Sequence, residues 1–215
     1  MAVITISRQF GSGGSEIAAL VSQRLNYTYV DKQIIAEAAK KSGLPVGNGK
    51  IEFTEYHSEL RSFIDRLLFP GPHIVAQVSV RGDDESSVFV EELDKSEALT
   101  LVRDAIHAVY QQGDAVIVGR GGQAVLQEMP EVLHIRMVAP LSYRLLQVQQ
   151  AHGLDMEEAR DLIAQRDRRS AAYLKEVFGI DWDNPLLYHL VVNTARWQPE
   201  VAADLIADAV RELAG

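Results

Sequence analysis

The sequence has no cysteine, no long apolar run and no excess of positive charge, and each absence excludes a class of protein. Without cysteine, the 215 residues form no disulfides, thiolate metal sites or cysteine nucleophiles. No apolar stretch reaches the roughly 18 residues that a membrane-spanning helix needs. The first residues also lack the basic start and apolar centre of a signal peptide. These features predict a cytoplasmic protein with no membrane partner.

The charge balance points to a small anionic ligand. The formal net charge of −9 argues against binding a nucleic acid polymer, because affinity for a phosphate backbone depends on Lys and Arg. Arg nevertheless outnumbers Lys more than two to one and clusters at 165–170, "QRDRRS". Arginine captures phosphate and carboxylate groups with two parallel hydrogen bonds. The six histidines do not have the spacing of metal ligands.

Short apolar segments alternate with helical periodicity along most of the chain. This alternation predicts an α/β protein, in which a five-stranded parallel sheet is covered by helices on both faces. The predicted strands lie at 2–7, 27–31, 115–119, 132–139 and 189–193. The predicted helices lie at 16–26, 31–41, 96–111, 122–128, 141–152 and 199–213.

Two segments interrupt this alternation and are predicted to be excursions from a single domain spanning residues 1–215. Residues 46–94 are polar and mixed, and the apolar stretch at 63–69 within them favours contact with a second copy of the chain in a homodimer. Residues 155–184 form a charged helix and loop. That helix begins with a capping signal, Asp155 followed three residues later by Glu158.

A glycine-rich stretch, "ISRQFGSGGSEIA" at 6–18, joins the first strand to the first helix. Backbone N–H groups in such a turn bind phosphate. Against the pattern G-x-x-x-x-G-K-[ST], Arg8 stands at the first glycine and Gly14 at the lysine, while Ser15 keeps the hydroxyl that holds Mg²⁺. Two interpretations remain open: a phosphate-binding loop in which Arg8 supplies the missing charge, and a tight turn with only a structural role.

The arginine-rich helix also has two interpretations. Arg166, Arg169 and Tyr173 fall near one face at i, i+3 and i+7. They belong either to a solvated face paired with nearby carboxylates or to a lid. A lid would bring guanidinium groups over a phosphoryl group in transfer and exclude water.

Five motifs follow one another in a fixed order: "ISRQFGSGG", "VDKQII", "GRGG", "RDRR" and "NT". In this order the chain resembles the cytidylate kinase-like family, a branch of the P-loop nucleoside monophosphate kinases. The resemblance covers residues 3–44 and 114–206 and is poor at 46–94. It implies a P-loop NTPase-type α/β/α fold with a five-stranded parallel sheet. It also implies an acceptor-binding insertion at 46–94 and a lid at 155–184.

The same resemblance implies phosphoryl transfer from ATP, with Mg²⁺, to CMP or a related monophosphate. Its catalytic candidates are Arg8, Asp31, Arg120, Arg166 and Arg169. Its candidates for holding the donor phosphates are Gly11, Ser12, Gly13, Gly14, Ser15 and Arg168, with Ser15 also at the metal. Arg120 would hold the acceptor phosphate and Asp31 would lie near the acceptor. The alternatives are that Arg120 forms a structural ion pair and that Asp31 caps the following helix.

Three other functions stay open. The absent lysine motivates a nucleotide-binding regulator with little turnover. The poor match at 46–94 motivates a kinase for a different small acceptor, and the third function is an interaction protein in which that segment mediates dimerisation.

Overall fold

A computed structural model describes residues 2–31 and 95–213, and the elements there are numbered in chain order. They are β1 (Val3–Arg8), α1 (Gly14–Leu25), β2 (Thr28–Val30), α2 (Lys95–Gln112), β3 (Ala115–Val118), α3 (Gly122–Val125), β4 (Val132–Val138), α4 (Leu141–His152), α5 (Met156–Phe178), β5 (Leu190–Asn193) and α6 (Pro199–Leu213). Short 3₁₀ turns lie at Pro185–Leu187 and Thr194–Arg196.

The five strands form one parallel sheet in the order β2-β3-β1-β4-β5. β1 is central, and its Val3 is in register with Ala115 of β3 and with Val132 of β4. A strand between two parallel neighbours is buried on both faces, so a continuous apolar sequence suits it better than an alternating one. The predicted α/β fold with a five-stranded parallel sheet is confirmed.

Helices cover both faces of this sheet. On one face, Ile4 and Ile6 of β1 pack with α1 and α6, where Ile206 is fully buried. On the other face, Ile117 of β3 packs with Ile106 of α2 and with α3. Successive β1 side chains therefore enter opposite cores, which is the alternation that a strand imposes. The fold therefore has three layers, with the sheet between two layers of helices.

Most predicted boundaries lie within one residue of those in the structure, and two differ by more. The helices at 141–152 and 199–213 have the predicted bounds. α1 begins at Gly14 rather than at Glu16, because Gly13 takes the left-handed conformation (φ 74°) and serves as the N-cap. The helix predicted at 122–128 ends at Val125. The helix predicted at 31–41, beyond Asp31, and the insertion at 46–94 lie outside the described residues.

The charged segment after α4 is one long helix, α5. The capping box is present: the Asp155 carboxylate accepts hydrogen bonds from the N–H groups of Glu157 and Glu158, and the Glu158 carboxylate accepts one from the Asp155 N–H at 3.0 Å. Gly179 in the left-handed conformation ends the helix. Within residues 2–31 and 95–213, none of the helices is both long and apolar enough to span a bilayer.

Candidate active site

A cleft of about 510 Å³ opens at the carboxyl ends of β1 and β3, between the start of α1 and the side of α5. Open parallel sheets bind their ligands at this edge. The residues predicted for the site that line it are Arg8, Gly11, Ser12, Gly13, Gly14, Ser15, Asp31, Arg120 and Arg166. Arg168 and Arg169 do not line it: Arg168 is exposed and Arg169 is half-buried elsewhere on α5.

The start of α1 presents backbone donors to the cleft. The first hydrogen bond within the helix runs from the N–H of Ile17 to the carbonyl of Gly13 at 3.2 Å. The N–H groups of residues 13–16 therefore have no acceptor within the helix, and no side chain caps them. The Ser12 hydroxyl beside them is fully buried and has no hydrogen-bond partner among the described residues. Such a cluster of donors at a helix N-terminus suits an anion.

Arg8 occupies the space that a side chain at position 14 would need. A Cβ placed on Gly14 would lie 2.7 Å from Arg8 Cβ, 3.2 Å from Arg8 Cγ and 3.0 Å from Met137 Sδ. A Cβ contact below 3.0 Å, such as the one with Arg8 Cβ, is essentially never seen in real structures, so a lysine at position 14 does not fit beside Arg8. The two departures from the usual phosphate-loop pattern are therefore linked: Arg8 in place of the first glycine requires glycine in place of the lysine at position 14.

The other end of Arg8 reaches the end of β3. A Cβ on Gly119 would overlap Arg8 Nη1, so only glycine admits the guanidinium there. Burial lowers the pKa of Arg8, while the nearby Tyr29 and Asp31 raise it. Since arginine stays protonated even when perturbed, a positive charge sits between the start of α1 and the ends of β3 and β2.

The chain after β3 is strained. Gly119, Arg120 and Gly121 have φ values of 79°, 61° and 72°, so three consecutive residues are left-handed. For a residue with a Cβ this conformation costs about 1–2 kcal/mol. The packing holds the turn in place, since a Cβ on Gly121 would lie 2.9 Å from Cζ of Phe178. Strained backbone of this kind clusters at functional sites, which favours a ligand-binding role for Arg120.

A partly buried ion pair joins α5 to the glycine-rich loop. The Asp167 carboxylate accepts hydrogen bonds from the Phe10 N–H at 2.9 Å and from Arg144 Nη1 of α4 at 2.5 Å. Arg144 Nη1 also donates to the Phe10 carbonyl at 3.2 Å. The neighbouring Arg166 places its guanidinium carbon 5.7 Å from the centre of the Phe10 ring. The pair therefore fixes where α5 enters the cleft and brings Arg166 to its edge.

Thr194 supports the glycine-rich loop, a role that the sequence did not predict. Its side chain is buried, and Oγ1 lies 2.7 Å from the Ser12 carbonyl and 3.2 Å from the Val138 carbonyl. In the sequence, the motif "NT" was one of the five that carry the family resemblance, with no role assigned to Thr194. The available signal was its position: Thr194 directly follows β5, and the carboxyl ends of parallel strands meet at one edge of a sheet.

A buried arginine lies beneath the floor of the cleft, and the sequence analysis missed it too. Arg136 of β4 is 2% exposed; it donates to Ser7 Oγ at 3.0 Å and to Asp183 Oδ1 at 2.8 Å, and lies 3.7 Å from the centre of the Trp182 ring. The Trp182 indole N–H also donates to Ser7 Oγ, at 2.8 Å. Tyr188 donates its hydroxyl hydrogen to the Trp182 carbonyl at 2.9 Å. Since Ser7 and Trp182 line the cleft, this network holds its floor rigid.

Comparison with known proteins identifies the family. A family model described as the cytidylate kinase-like family matches residues 3–196. The chain is 24% identical over 214 residues to a cytidylate kinase of Methanocaldococcus jannaschii, covering 98% of both chains. It is 26% identical over 212 residues to one of Pyrococcus horikoshii, covering 98% of this chain and 89% of that one. A third, of Methanopyrus kandleri, is 31% identical over 111 residues, which is 48% of this chain and 58% of the relative.

Solved structures share the fold at low identity. An uncharacterized protein from Eubacterium ventriosum matches with a TM-score of 0.68 at 15% identity, covering 98% of this chain and 99% of that one. Shikimate kinase from Bacteroides thetaiotaomicron matches with a TM-score of 0.52 at 13% identity, covering 98% of each. At such identities the likeness shows the P-loop kinase fold alone. Together with the match of the family model to most of the sequence, it confirms the resemblance: the chain belongs to the cytidylate kinase-like family.

Proposed function

We propose that the protein transfers a phosphoryl group from MgATP to CMP or a related small monophosphate. The observation that carries this proposal is one cleft that combines the unpaired N–H groups at the start of α1 with Arg8, Arg120 and Arg166. Phosphoryl transfer asks a protein mainly to position the two substrates and to stabilise negative charge. The curated relatives named cytidylate kinase support CMP as the acceptor.

The donor side of the cleft is the glycine-rich loop. The N–H groups of residues 13–16 and the buried Ser12 hydroxyl suit the phosphates of ATP, which supplies the transferred group. Ser15, exposed in the first turn of α1, is the residue that would hold Mg²⁺. The Arg8 guanidinium supplies the positive charge that lysine supplies in the usual loop, and it does so from the strand rather than from the helix.

The acceptor side lies at the ends of β2 and β3. Arg120 binds the acceptor phosphate, and Asp31 orients the acceptor close to it. Arg8 lies between the two sides, because its stem packs on Gly14 and its guanidinium on Gly119. Arg166 adds charge from α5. Arg168 and Arg169 belong to the same proposal as lid residues, although neither lines the cleft in this structure.

A coupled assay for ADP formation over a panel of nucleoside monophosphates with MgATP tests this function. We expect turnover with CMP and a higher KM for CMP in Arg120→Ala. The matched control is Arg160→Ala, which removes an exposed arginine of α5 outside the cleft. ATP binding by calorimetry without ADP formation from any monophosphate would instead favour a nucleotide-binding regulator. No heat on titrating ATP would refute both.

A further inference from the structure

One hydroxyl in the cleft is buried without a hydrogen-bond partner. Tyr173 of α5 lines the cleft and is 7% exposed. Among the residues that the structure describes, none forms a hydrogen bond with its hydroxyl. A buried hydroxyl that has lost water and gained no partner is destabilising, and such groups are rare in native proteins. The position therefore calls for a partner that the described chain does not supply.

The ring of Tyr173 is held by its neighbours. It packs edge to face on Phe178, with ring centres 5.9 Å apart and an interplanar angle of 86°. Phe178 in turn packs against Gly121 in the strained turn and lies 5.3 Å from the guanidinium carbon of Arg103. Moving the hydroxyl towards another protein group would break these contacts, so its position is set by the fold.

The charges around the hydroxyl are positive. Arg120 and Arg103 both act on it electrostatically, while burial, the larger effect, raises the pKa of Tyr173 to about 12. The phenol therefore keeps its proton at neutral pH and acts as a hydrogen-bond donor. An anion suits this position, because it accepts the hydrogen bond of the hydroxyl and is attracted by the neighbouring guanidinium groups.

We propose that the Tyr173 hydroxyl binds the acceptor phosphate together with Arg120. Tyr173 packs on Phe178, which contacts Gly121 after β3 and Arg103 of α2, so the hydroxyl lies on the acceptor side and not at the start of α1, where the donor phosphates bind. The identification of the anion as a nucleoside monophosphate rests on the proposed function. The observation that the Tyr173 hydroxyl is buried without a partner among the described residues does not depend on the proposed function.

The variant Tyr173→Phe removes only this oxygen. We expect the Tm of the ligand-free protein to rise by about 2–12 °C, the shift that removing one unsatisfied buried hydroxyl gives in a domain of this size. We expect the KM for CMP to rise at least about tenfold, as for loss of a hydrogen bond to a charged group, with the KM for ATP unchanged. The control is Tyr188→Phe: Tyr188 is also 7% exposed, but its hydroxyl donates to the Trp182 carbonyl. That variant should lower the Tm.

The outcomes separate this inference from the proposed function. An active enzyme whose KM for CMP is unaltered by Tyr173→Phe overturns the inference and leaves the function standing. A protein without turnover, whose Tm rises with CMP in the wild type but not in Tyr173→Phe, supports the inference while the function fails. A lower Tm for ligand-free Tyr173→Phe, or no response of the wild type to any monophosphate, overturns the inference.

Discussion

Replacing Gly119 by alanine tests whether the Arg8 guanidinium performs the task of the absent lysine. Gly119 has a φ of 79°, and a Cβ there overlaps Arg8 Nη1. The left-handed backbone costs alanine about 1–2 kcal/mol. The atom that the new methyl group meets is the end of a flexible side chain, so the guanidinium moves and the backbone does not. We therefore expect the free energy of unfolding to fall by about 1–2 kcal/mol, and Arg8 to be displaced.

Gly153→Ala is the matched control for this change. Gly153 also has a positive φ, 66°, but no atom lies within 4 Å of its Cβ position. Both variants carry the same backbone cost, and only Gly119→Ala moves Arg8. Loss of one hydrogen bond to a charged phosphate costs about 1.5–3 kcal/mol, which is about a 10- to 150-fold loss of kcat/KM with MgATP. Gly153→Ala should lose almost none.

Urea unfolding and steady-state kinetics measure the two effects separately. If Gly119→Ala keeps the kcat/KM of Gly153→Ala, the Arg8 guanidinium is not needed where the structure places it, and the reasoning fails. The double variant Arg8→Ala/Gly119→Ala adds a second test. Because both changes act on one guanidinium, the double variant should be no less active than Arg8→Ala alone. Additive losses would mean that Gly119 acts through another group.

Three further predictions follow from the supports of the cleft and from the sheet. Asp167→Asn removes the charge from the partly buried pair that holds the Phe10 N–H. We expect the free energy of unfolding to fall by about 1–3 kcal/mol in urea titrations and the KM for ATP to rise; an unchanged KM would show that α5 does not position the loop. Thr194→Val keeps the shape of the side chain but leaves the Ser12 carbonyl without its donor, which should cost about 1–3 kcal/mol in the same titrations; equal stability would mean that water replaces the hydroxyl. Burial lowers the pKa of His134 to about 4. The folded state therefore favours the neutral ring, so the contribution of His134 to the free energy of unfolding is complete above pH 6.5, and about 3 kcal/mol of it is lost as the pH falls to 4. His134→Gln should flatten the dependence of stability on pH in this range, and an unchanged slope would show that another group titrates there.

The strands were predictable because their sequences suit burial on both faces. β3 is apolar throughout, and β1 and β4 are rich in Val, Ile and Leu between a few polar residues. Gly153 and Pro199 mark the end of α4 and the start of α6. The start of α1 was less predictable, since its N-cap is a glycine and not one of the usual polar capping residues. The predicted site residues that lie on the glycine-rich loop or at a strand end all line the cleft, because the carboxyl ends of parallel strands meet at one edge of the sheet.

Contacts between segments that are distant along the chain could not be predicted from the sequence. Arg136 looked like one more residue of a strand, because its partners Ser7 and Trp182 are far away along the chain. On α5, the spacing of Arg166, Arg169 and Tyr173 predicted one shared face. At about 100° per residue, Tyr173 returns to within about 20° of Arg166, whereas Arg169 is turned about 60° away. This rotation explains why Arg166 and Tyr173 line the cleft and Arg169 does not.

The arginine beneath the floor adds to the positive charge of Arg8, Arg120 and Arg166, so the cleft has an electrostatic character opposite to that of the whole molecule. Arg136 is buried while its partner Asp183 is largely in solvent, so the carboxylate is screened more than the guanidinium. The chain as a whole carries a formal charge of −9. At physiological ionic strength the Debye length is about 8 Å, and an approaching anion feels the remote carboxylates weakly. Lower salt extends their repulsion, so anion capture should slow as salt is removed, the reverse of the behaviour of a basic polyanion-binding surface.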